Sequence, residues 1–549
     1  MELEIPDPLA AALQGLVGAQ SALGLELGNA CPGSGTRVVS SRHFDGHALT
    51  LLYQLGHNAG ARDLLFQLLA LDNLNGETQL KPIPSLELMV PALIEWLSRD
   101  LIDGWLYQRG RDGSLLAWLV HSVRLVKPTD GNAYVVVGLL ANTLSAAGRE
   151  RVSDPRLRFA GMTWGLSFYA EDLPGRTLAG LFADQGFYKE CAEFKQEYDQ
   201  QLAHFTRLQP QFGAQLLING HAWLPKDGPR DQFECLRLAE GSAVRCVNDE
   251  ELLQRRFDMA ADAHYWRECG IAGGFDRIPL HPYLHLFHLE WHRNVWVHAQ
   301  HVQPYVYRPA LRELLVLPQA HRDLIDILTA DRNFLVEDVV PGKSGGTTIL
   351  CKGAPGLGKT LTAEVYAEVV AKPLYRVHSG QLGVTASSVE ASLTAILRRA
   401  ARWDCVLLLD EADVYIRRRD NDLQHNAIVA EFLRTLEYFG GLLFMTTNRV
   451  GDIDEAILSR CIAVIDYAAP CAEDARRLWT TLAAQLGIDL PAELVAGLAA
   501  DYAGASGRDI KELLKLTGKY CRHQGVPLSA QAVAQCAVFR GLASGGAAS

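Results

Sequence analysis

Residues 347–360 combine an apolar run with a Gly-rich loop whose residue types can bind phosphate groups. The segment reads Thr-Thr-Ile-Leu-Cys-Lys-Gly-Ala-Pro-Gly-Leu-Gly-Lys-Thr and fits the pattern G-x-x-x-x-G-K-T. Its glycines let consecutive N–H groups face the phosphates, and the positive end of a following helix adds to their field. Lys359 supplies a charge for the β- and γ-phosphates, and Thr360 supplies a hydroxyl for Mg2+. The predicted ATP-binding residues are Gly353, Ala354, Pro355, Gly356, Leu357, Gly358, Lys359, Thr360, Leu361 and Asp410.

A second run places two adjacent carboxylates directly after an apolar segment. Residues 404–413 read Asp-Cys-Val-Leu-Leu-Leu-Asp-Glu-Ala-Asp, which is typical of a buried parallel strand. We expect Asp410 to hold Mg2+ through water together with Thr360, and Glu411 to polarise the attacking water as general base. A buried strand that ends in a solvated acidic turn is the alternative for this segment alone. Its position downstream of a phosphate-binding loop favours the catalytic interpretation.

Further motifs follow in the order expected of the AAA+ family, which the chain resembles from about Tyr305 to its end. Gly441-Leu-Leu-Phe-Met-Thr-Thr-Asn448 is an apolar run with a polar end, and Asp454-Glu-Ala-Ile-Leu-Ser-Arg460 comes after it. The resemblance implies that Asn448 is a sensor that orients the attacking water. It also implies that Arg460 is an arginine finger that reaches the neighbouring subunit's nucleotide. A surface arginine at a helix end is the alternative for Arg460.

The segment Gly504-Ala-Ser-Gly-Arg-Asp-Ile-Lys-Glu-Leu-Leu514 resembles the second sensor of the same family, at the start of a helix in a C-terminal lid. Ser506 is expected to cap that helix. Arg508 would point at the γ-phosphate and couple the position of the lid to hydrolysis. A solvated arginine in a first helical turn remains the alternative.

The family resemblance implies an α/β fold, with a three-layer αβα P-loop core around a parallel sheet and a small helical lid. An α+β region precedes this core. Residues 303–318, 382–385 and 436–449 resemble a group of AAA proteins, abundant in filamentous fungi, that carry a large uncharacterised N-terminal domain. The expected units are a helical region 1–112, a mixed α+β module 113–304, a large ATPase subdomain 305–468, a lid 469–541 and a flexible tail 542–549.

Two segments near the core indicate how the protein could contact a protein client. AAA+ unfoldases grip a peptide with an aromatic, an aliphatic and a glycine residue; here Leu382 and Gly383 fit the last two places, but Gln381 replaces the aromatic residue. This replacement weakens the case for processive threading. The basic triplet 417–419 could form a second pore loop, an interface contact or a solvated loop. The triplet precedes a predicted amphipathic helix with Ala427, Val429, Phe432, Leu433 and Leu436 on its apolar face.

The first 304 residues change from helical to strand periodicity. Helical spacing is present in three segments, and strand patterns with one long charged helix follow them. The predicted helices are Pro8–Leu23, His47–Leu71, Leu86–Tyr107 and Gln185–Leu208. The predicted strands are Leu115–Val126, Ala133–Gly138, Met162–Ala170, Ala214–Asn219 and Ser242–Val247. Tyr375 and Val377 in the core are also expected to alternate on a strand.

A histidine cluster between His281 and His301 raises the question of a metal site. The cluster contains His281, His285, His288, His292, His298 and His301. A predicted hairpin of residues 283–289 and 295–301 would place His285 and His288 on opposite faces. The favoured interpretation is therefore a hairpin with exposed histidine-bearing faces, packed by Leu284, Leu286, Val295 and Val297. Zinc bound by a subset of the histidines is the alternative.

Composition limits the possible functions. The chain has 549 residues, 48% hydrophobic residues and a formal charge of −11. This charge gives no general electrostatic attraction for nucleic acid. The sequence has no apolar run long enough for a membrane span, and its 11 cysteines include no C-x-x-C pair. The acidic start lacks the features of a secretion signal. These features favour a cytoplasmic protein with reduced thiols.

Two functional interpretations remain open at this stage. The first is a homo-oligomeric, hexameric ATP-driven ring that remodels an unknown protein client recruited through residues 1–304. The second is a nucleic-acid-associated AAA+ motor or loader, or an ATP-switched assembly platform in a defence or mobile-element system. The acidic charge and the lack of a helix-turn-helix or a basic aromatic stretch favour the first interpretation.

Overall fold

The structure of the chain is a computed structural model. The model describes residues 2–29, 35–61, 64–65, 67–68, 82–83, 85–98, 100–143, 161–225, 233–238, 243–250, 277–330, 346–383, 385–419 and 421–542. Most of the predicted tail, residues 543–549, lies outside these ranges, as does part of the predicted helix His47–Leu71.

The N-terminal segment is helical apart from one small sheet. Its elements are β1 (Glu2–Pro6), α1 (Asp7–Val17), α2 (Ala22–Asn29), β2 (Thr36–Ser40), α3 (Gly46–Asn58) and α4 (Leu86–Leu97). Strands β1 and β2 pair in antiparallel fashion, which the sequence patterns did not predict. The first predicted helix ends early, at Val17, because Gly18 takes a positive φ of 84°. The third ends at Leu97, since the chain turns before the next strand.

Two antiparallel sheets follow this segment. The first has the strand order β6-β5-β4-β3-β7. Its strands are β3 (Trp105–Arg109), β4 (Leu115–Val126), β5 (Tyr134–Asn142), β6 (Gly161–Tyr169) and β7 (Phe187–Lys189). The predicted hairpin and the third strand beside it are confirmed as β4, β5 and β6. Helix α5 (Leu178–Asp184) precedes β7, and α6 (Ala192–Leu208) replaces the longer helix predicted from Gln185.

The second antiparallel sheet has the order β10-β9-β13-β12-β11-β8-β14. Its strands are β8 (Gln215–Ile218), β9 (His221–Pro225), β10 (Phe233–Arg237), β11 (Val244–Asn248), β12 (Tyr283–His288), β13 (Arg293–His298) and β14 (Val302–Pro304). The predicted strands near 214–219 and 242–247 are thereby confirmed as β8 and β11, with slightly shifted ends.

The histidine-bearing hairpin is β12 and β13, and the prediction that its faces are exposed is wrong. Both strands lie inside the sheet, and apolar cores cover both faces, so that His281, His288 and His298 are almost fully buried. His281 interacts with the carbonyl of Ala117, and burial lowers its pKa to about 4. Among the described residues, no group of three or more His, Cys, Asp or Glu side chains could hold a metal ion.

A parallel sheet with helices on both faces forms the C-terminal half of the described chain. Its order is β16-β17-β18-β15-β19. The strands are β15 (Thr347–Gly353), β16 (Leu374–His378), β17 (Val406–Asp410), β18 (Leu442–Thr447) and β19 (Ala463–Tyr467). The helices are α7 (Gln319–Ala330), α8 (Lys359–Val369), α9 (Ala386–Trp403), α10 (Asp413–Ile416), α11 (Leu423–Leu436) and α12 (Glu455–Leu458).

Alternating side chains of this sheet supply two separate cores. Leu407 and Leu409 pack with α9 and α11 on one face, whereas Val406 and Leu408 pack with α7 and α8 on the other. The expected three-layer αβα arrangement is therefore confirmed. Tyr375 and Val377 are buried, as predicted for a strand. On α11 the predicted Ala427 is exposed, and Ile428 takes its place in the core.

Four helices follow the sheet and form their own core around Trp479. They are α13 (Ala472–Gln485), α14 (Ala492–Asp501), α15 (Gly507–Gln524) and α16 (Ala530–Val538). This arrangement is the small helical unit that the sequence predicts after the sheet. No helix among the residues described here is long and apolar enough to cross a membrane.

The second antiparallel sheet packs directly against the parallel sheet through aromatic residues. The Phe287 ring lies 5.7 Å from Tyr375 and 5.0 Å from Trp403, between ring centroids. The Trp403 indole N–H donates to Asp249 Oδ1 at 2.8 Å. Gly213 permits this close approach, because a Cβ there would lie 2.8 Å from the Trp403 carbonyl oxygen. The N-terminal module and the parallel-sheet core thus share an apolar contact reinforced by a buried hydrogen bond.

Truncation of Phe287 tests the contribution of this contact to stability. We expect Phe287→Ala to lower the apparent free energy of unfolding by about 3–5 kcal/mol, because a buried aromatic ring is removed. Urea denaturation measures the change. Phe539→Ala is the matched control, since Phe539 is 84% exposed and should change stability by less than about 0.5 kcal/mol. Equal effects of the two substitutions would contradict a stabilising role for the contact.

Candidate functional site

The Gly-rich loop connects β15 to α8, as its motif requires. Gly353 ends the strand with a φ of 150°, and a Cβ there would lie 2.4 Å from the Tyr467 carbonyl oxygen. Gly358 takes a left-handed conformation immediately before α8. These positions require glycine, and together they direct the N-terminus of α8 towards the loop.

Lys359 is the first residue of α8, and its side chain is nearly buried. Its amine donates to the carbonyl oxygens of Gly353 and Ala354, each at 2.7 Å, and to Asn448 Oδ1 at 3.0 Å. Burial lowers the pKa of this amine, and the Asp413 carboxylate opposes that effect. Lys359 and Asn448 are therefore in contact because β15 and β18 are neighbouring parallel strands.

Asp410 lies at the end of β17 and receives two hydroxyl groups on one carboxylate oxygen. Thr360 donates to its Oδ1 at 2.9 Å, and Thr446 donates to the same atom at 2.6 Å. Burial opposes ionisation of Asp410, but these hydrogen bonds and the Arg376 charge keep its pKa below the usual value. Thr360 and Asp410 offer hard oxygen donors close together, which suits Mg2+.

Glu411 has an unusual backbone conformation. Its φ is 55°, in the left-handed region that residues other than glycine rarely occupy. Its N–H donates to Thr446 Oγ1 at 2.9 Å, and this bond holds the turn. The conformation ends the strand sharply at a residue that lines the cavity. Backbone strain of this kind is concentrated at functional sites.

Asp413 and Thr446 fix the strand ends, although neither was singled out in the sequence. Asp413 accepts hydrogen bonds from the Thr447 hydroxyl and from the Asn448 N–H, the latter at 3.1 Å. Thr446 bridges Asp410 and Glu411. The fourth residue of the Asp-Glu-Ala-Asp run was the available sequence signal for Asp413.

The helical unit contacts the Gly-rich loop directly. Ser506 caps α15 and forms a capping box with Asp509, which confirms the predicted cap. The Arg508 N–H lies 3.3 Å from the Gly356 carbonyl oxygen. A Cβ at Gly356 would lie 2.5 Å from Ser506 Oγ. The loop and the start of α15 are therefore in close contact, and Arg508 lies at the cavity.

These elements surround one cavity of about 840 Å3. Most of the predicted site residues line it. Gly353 and Ala354 do not line it, but their carbonyl oxygens accept hydrogen bonds from Lys359. The predicted residues that line it are Pro355, Gly356, Leu357, Gly358, Lys359, Thr360, Leu361, Asp410, Glu411, Asn448 and Arg508. Arg376, Thr446 and the linker residues 314–318 also line it and were not predicted from the sequence.

Arg460 is separate from this cavity. It follows α12 at the surface, where its guanidinium lies 3.7 Å from Glu437 and 3.2 Å from the Ala456 carbonyl oxygen. The structure therefore does not bring Arg460 to this cavity of its own chain.

The basic triplet supports the segment that leads to Arg460. Arg419 pairs with Asp454 at 2.8 Å, and Arg418 lies 3.3 Å from Glu455. Asp454 also caps α12 through the Ala456 N–H. The triplet therefore has a local structural role, although the side chains of Arg418 and Arg419 stay partly exposed.

The segment after β16 differs from a freely extended gripping loop. Leu382 is 1% exposed and belongs to the core, and the Tyr415 hydroxyl donates to the carbonyl oxygens of Ser379 and Gly383. Gln381 Oε1 accepts the His378 N–H at 2.9 Å. Leu382 therefore cannot serve as an exposed gripping residue in this conformation. Val384 lies outside the described residues.

Comparison with known proteins now identifies the domain that holds this cavity. Residues 349–467 match the model of the ATPase family associated with various cellular activities (AAA). The chain carries an AAA ATPase domain. The prediction of an AAA+ core with an α+β region before it is confirmed.

Three relatives each match part of the chain. An uncharacterised AAA family ATPase of Sinorhizobium fredii is 34% identical over 128 residues, which are 22% of this chain and 38% of that protein. Spastin of Drosophila virilis is 27% identical over 222 residues, 38% of this chain and 27% of spastin. The 26S proteasome regulatory subunit 7 homolog B of Arabidopsis thaliana is 28% identical over 217 residues, 36% of this chain and 44% of that protein. The chain thus spans less than half of the length of each relative.

Substitution of Gly356 tests the contact between the loop and α15. We expect Gly356→Ala to weaken binding of a fluorescent ADP analogue at least about fivefold, because a Cβ in this strained turn forces the Ser506 side chain away. Fluorescence titration measures the affinity. Gly175→Ala is a matched control, since Gly175 also has a positive φ but has no atom near the added Cβ. Equal binding by wild type and Gly356→Ala would contradict this interpretation of the contact.

Proposed function

We propose that the chain hydrolyses ATP at the described cavity and works as a homo-oligomeric ring that remodels a protein client. The proposal rests on one observation: a single cavity is lined by Lys359, the hydrogen-bonded pair Thr360 and Asp410, Glu411 and Asn448. ATP and Mg2+ are the proposed ligands. The cytoplasmic location expected from the sequence remains part of the proposal.

The hydrolytic step follows from the chemistry of these side chains. Lys359 and the N–H groups of the loop bind the phosphates, while Thr360 and Asp410 hold Mg2+. Mg2+ held by these two residues would supply positive charge opposite the charge that develops on the phosphate oxygens. Glu411 takes the proton from the attacking water, and Asn448 orients that water. Arg508, on α15, links the helical lid to the state of the nucleotide.

The oligomeric part of the proposal rests on Arg460. Its exposed position outside its own cavity is compatible with delivery of a guanidinium to the nucleotide of an adjacent subunit. Such a group stabilises transition-state charge in trans. Asp454 and Arg419 would hold the segment in place for this contact. The proposed ring is hexameric.

The client-recruiting part rests on contacts between the N-terminal module and the AAA domain. Glu368 lies near the C-terminal end of α8 and accepts hydrogen bonds from the Tyr305 hydroxyl and the Arg308 N–H. Arg245 of the second antiparallel sheet lies 3.9 Å from the same carboxylate. Since α8 begins at the phosphate-binding loop, these contacts offer a direct route between nucleotide and module. We propose that residues 1–304 bind the client.

Among the residues that the structure describes, no specific observation favours the nucleic-acid alternative. Arg418 and Arg419 of the basic triplet pair with acidic side chains, which lowers the positive charge that this triplet could offer to the phosphates of DNA or RNA. A client protein handled without processive threading also agrees better with the buried Leu382.

Substitution of Glu411 tests the hydrolytic step. We expect Glu411→Gln to retain ATP binding while the rate of ATP hydrolysis falls by about 10²–10⁴-fold, because the general base is lost. Phosphate release and fluorescent-nucleotide titration measure the two properties. Glu493→Gln, at an exposed position on α14, is the control and should hydrolyse ATP normally. Undiminished turnover by Glu411→Gln would remove the assignment of the base.

Mixing two inactive variants tests the arginine finger. In a 1:1 mixture of Arg460→Ala and Glu411→Gln subunits, a site is complete when an Arg460→Ala subunit receives the finger of a Glu411→Gln neighbour. Random mixing in a ring with independent sites should return about a quarter of the wild-type activity. Phosphate release is measured after co-assembly, and the mass of the mixed oligomer is determined in parallel. Mixed rings without any regained activity would contradict catalysis in trans.

A further inference from the structure

Strand β16 brings a guanidinium to the nucleotide cavity from an unexpected position. β16 is an edge strand, and its residues alternate between the two faces of the sheet. Tyr375 and Val377 enter one core, whereas Leu374 packs into the core beside α8. Arg376 therefore lies on the α8 face and lines the cavity together with Asp410 and Glu364.

Arg376 makes its closest ionic contact with the buried carboxylate of that cavity. Its Nη2 donates to Asp410 Oδ2 at 2.5 Å, and its Nη1 lies 3.6 Å from Glu364 Oε1. The side chain of Asp410 is 5% exposed, and that of Arg376 is 41% exposed. The guanidinium thus reaches from the partly solvated edge of the sheet to a carboxylate inside it.

The two oxygens of Asp410 have different partners. Oδ2 receives the guanidinium, whereas Oδ1 receives the hydroxyls of Thr360 and Thr446. Rotation of the carboxylate would break both sets of hydrogen bonds at once. Arg376 therefore helps to fix the plane of the carboxylate, and with it the direction of the oxygen that faces Thr360, the residue with which Asp410 offers oxygen donors to Mg2+.

We propose that Arg376 is a positioning residue that orients Asp410 and thereby sets the Mg2+-dependent part of nucleotide binding. This inference rests on the proposed ATP site. It assigns to Arg376 no contact with the nucleotide and no step in phosphoryl transfer.

Two effects of Arg376 on Mg2+ affinity have opposite signs. Its positive charge repels a divalent cation, so that its removal would tighten Mg2+ binding. Its hydrogen bond orients a ligand, so that its removal would weaken binding. The partly exposed guanidinium is screened by solvent, which reduces the repulsion. Loss of a group that orients a metal ligand typically weakens metal affinity by about 10–100-fold, so orientation is expected to dominate.

The test separates Mg2+-dependent from Mg2+-independent nucleotide binding in the full-length chain. Binding of a fluorescent ADP analogue is measured in EDTA and then at increasing Mg2+ concentrations for wild type, Arg376→Gln and Arg376→Lys. The control is Arg434→Gln, since Arg434 forms surface ion pairs with Glu390 and Glu431 on α9 and α11, away from the cavity.

We expect the affinity of Arg376→Gln for the analogue in EDTA to lie within about twofold of the wild-type affinity. The Mg2+ concentration that gives half of the Mg2+-dependent change should be about tenfold higher than for wild type. Arg376→Lys should be intermediate, because it keeps the charge without the planar donor geometry. Arg434→Gln should match wild type. Binding in EDTA also reports that each variant is folded.

The possible outcomes distinguish the inference from the proposed function. An unchanged or lower Mg2+ requirement in Arg376→Gln would overturn the positioning role. Loss of binding in EDTA by both Arg376 variants would also overturn it, because Arg376 would then support the nucleotide or the fold directly. If wild type itself binds the analogue without any dependence on Mg2+, the proposed ATP site fails, and the inference fails with it.

Discussion

A buried carboxylate loses its hydrating water and needs hydrogen bonds or positive charge in its place. Asp410 is such a carboxylate, and the proposed nucleotide site is built from the residues that stabilise it. The apolar residues of β17 place Asp410 among buried neighbours, where an unpaired charge would be costly. Thr360, Thr446 and Arg376 compensate it, and each of them comes from a different element: α8, β18 and β16. The start of α8 and the ends of β16, β17 and β18 must therefore be in register before the carboxylate is stabilised. Compensation of one charge thus links the positions of four elements.

A second carboxylate relates this arrangement to the rest of the chain. Glu368 lies near the end of α8 opposite to the phosphate-binding loop, and its partners belong to the linker and to the second antiparallel sheet. Helix α8 is continuous over 11 residues and therefore connects the loop directly to these contacts. The aromatic contact of Phe287 with Tyr375 and Trp403 restrains β16 and α9. The N-terminal module is thus attached to the two elements that carry Thr360 and Arg376.

The sequence predicted the AAA domain more accurately than the region before it, for physical reasons. Strands β15, β17 and β18 are buried on both faces, so they are continuous apolar runs that end at polar site residues. The apolar spacing that begins at Leu86 continues past Leu97 into β3, and therefore the predicted helix Leu86–Tyr107 was too long. The histidines of β12 and β13 indicated exposed faces, because burial of a neutral histidine depends on tertiary partners such as the Ala117 carbonyl group. Arg376 was missed since a charged residue on an edge strand usually faces solvent.

The left-handed backbone of Glu411 has an evolutionary consequence. A residue with a Cβ is disfavoured at a φ of 55°, whereas glycine would accept this conformation without strain. The fold therefore retains a less stable residue at the point where the proposed chemistry requires a carboxylate. Selection of variants for heat resistance alone should favour glycine or asparagine at this position. Under the proposed mechanism, the resulting proteins would be more stable but would lose turnover, so Glu411 would combine a cost in stability with a role in catalysis.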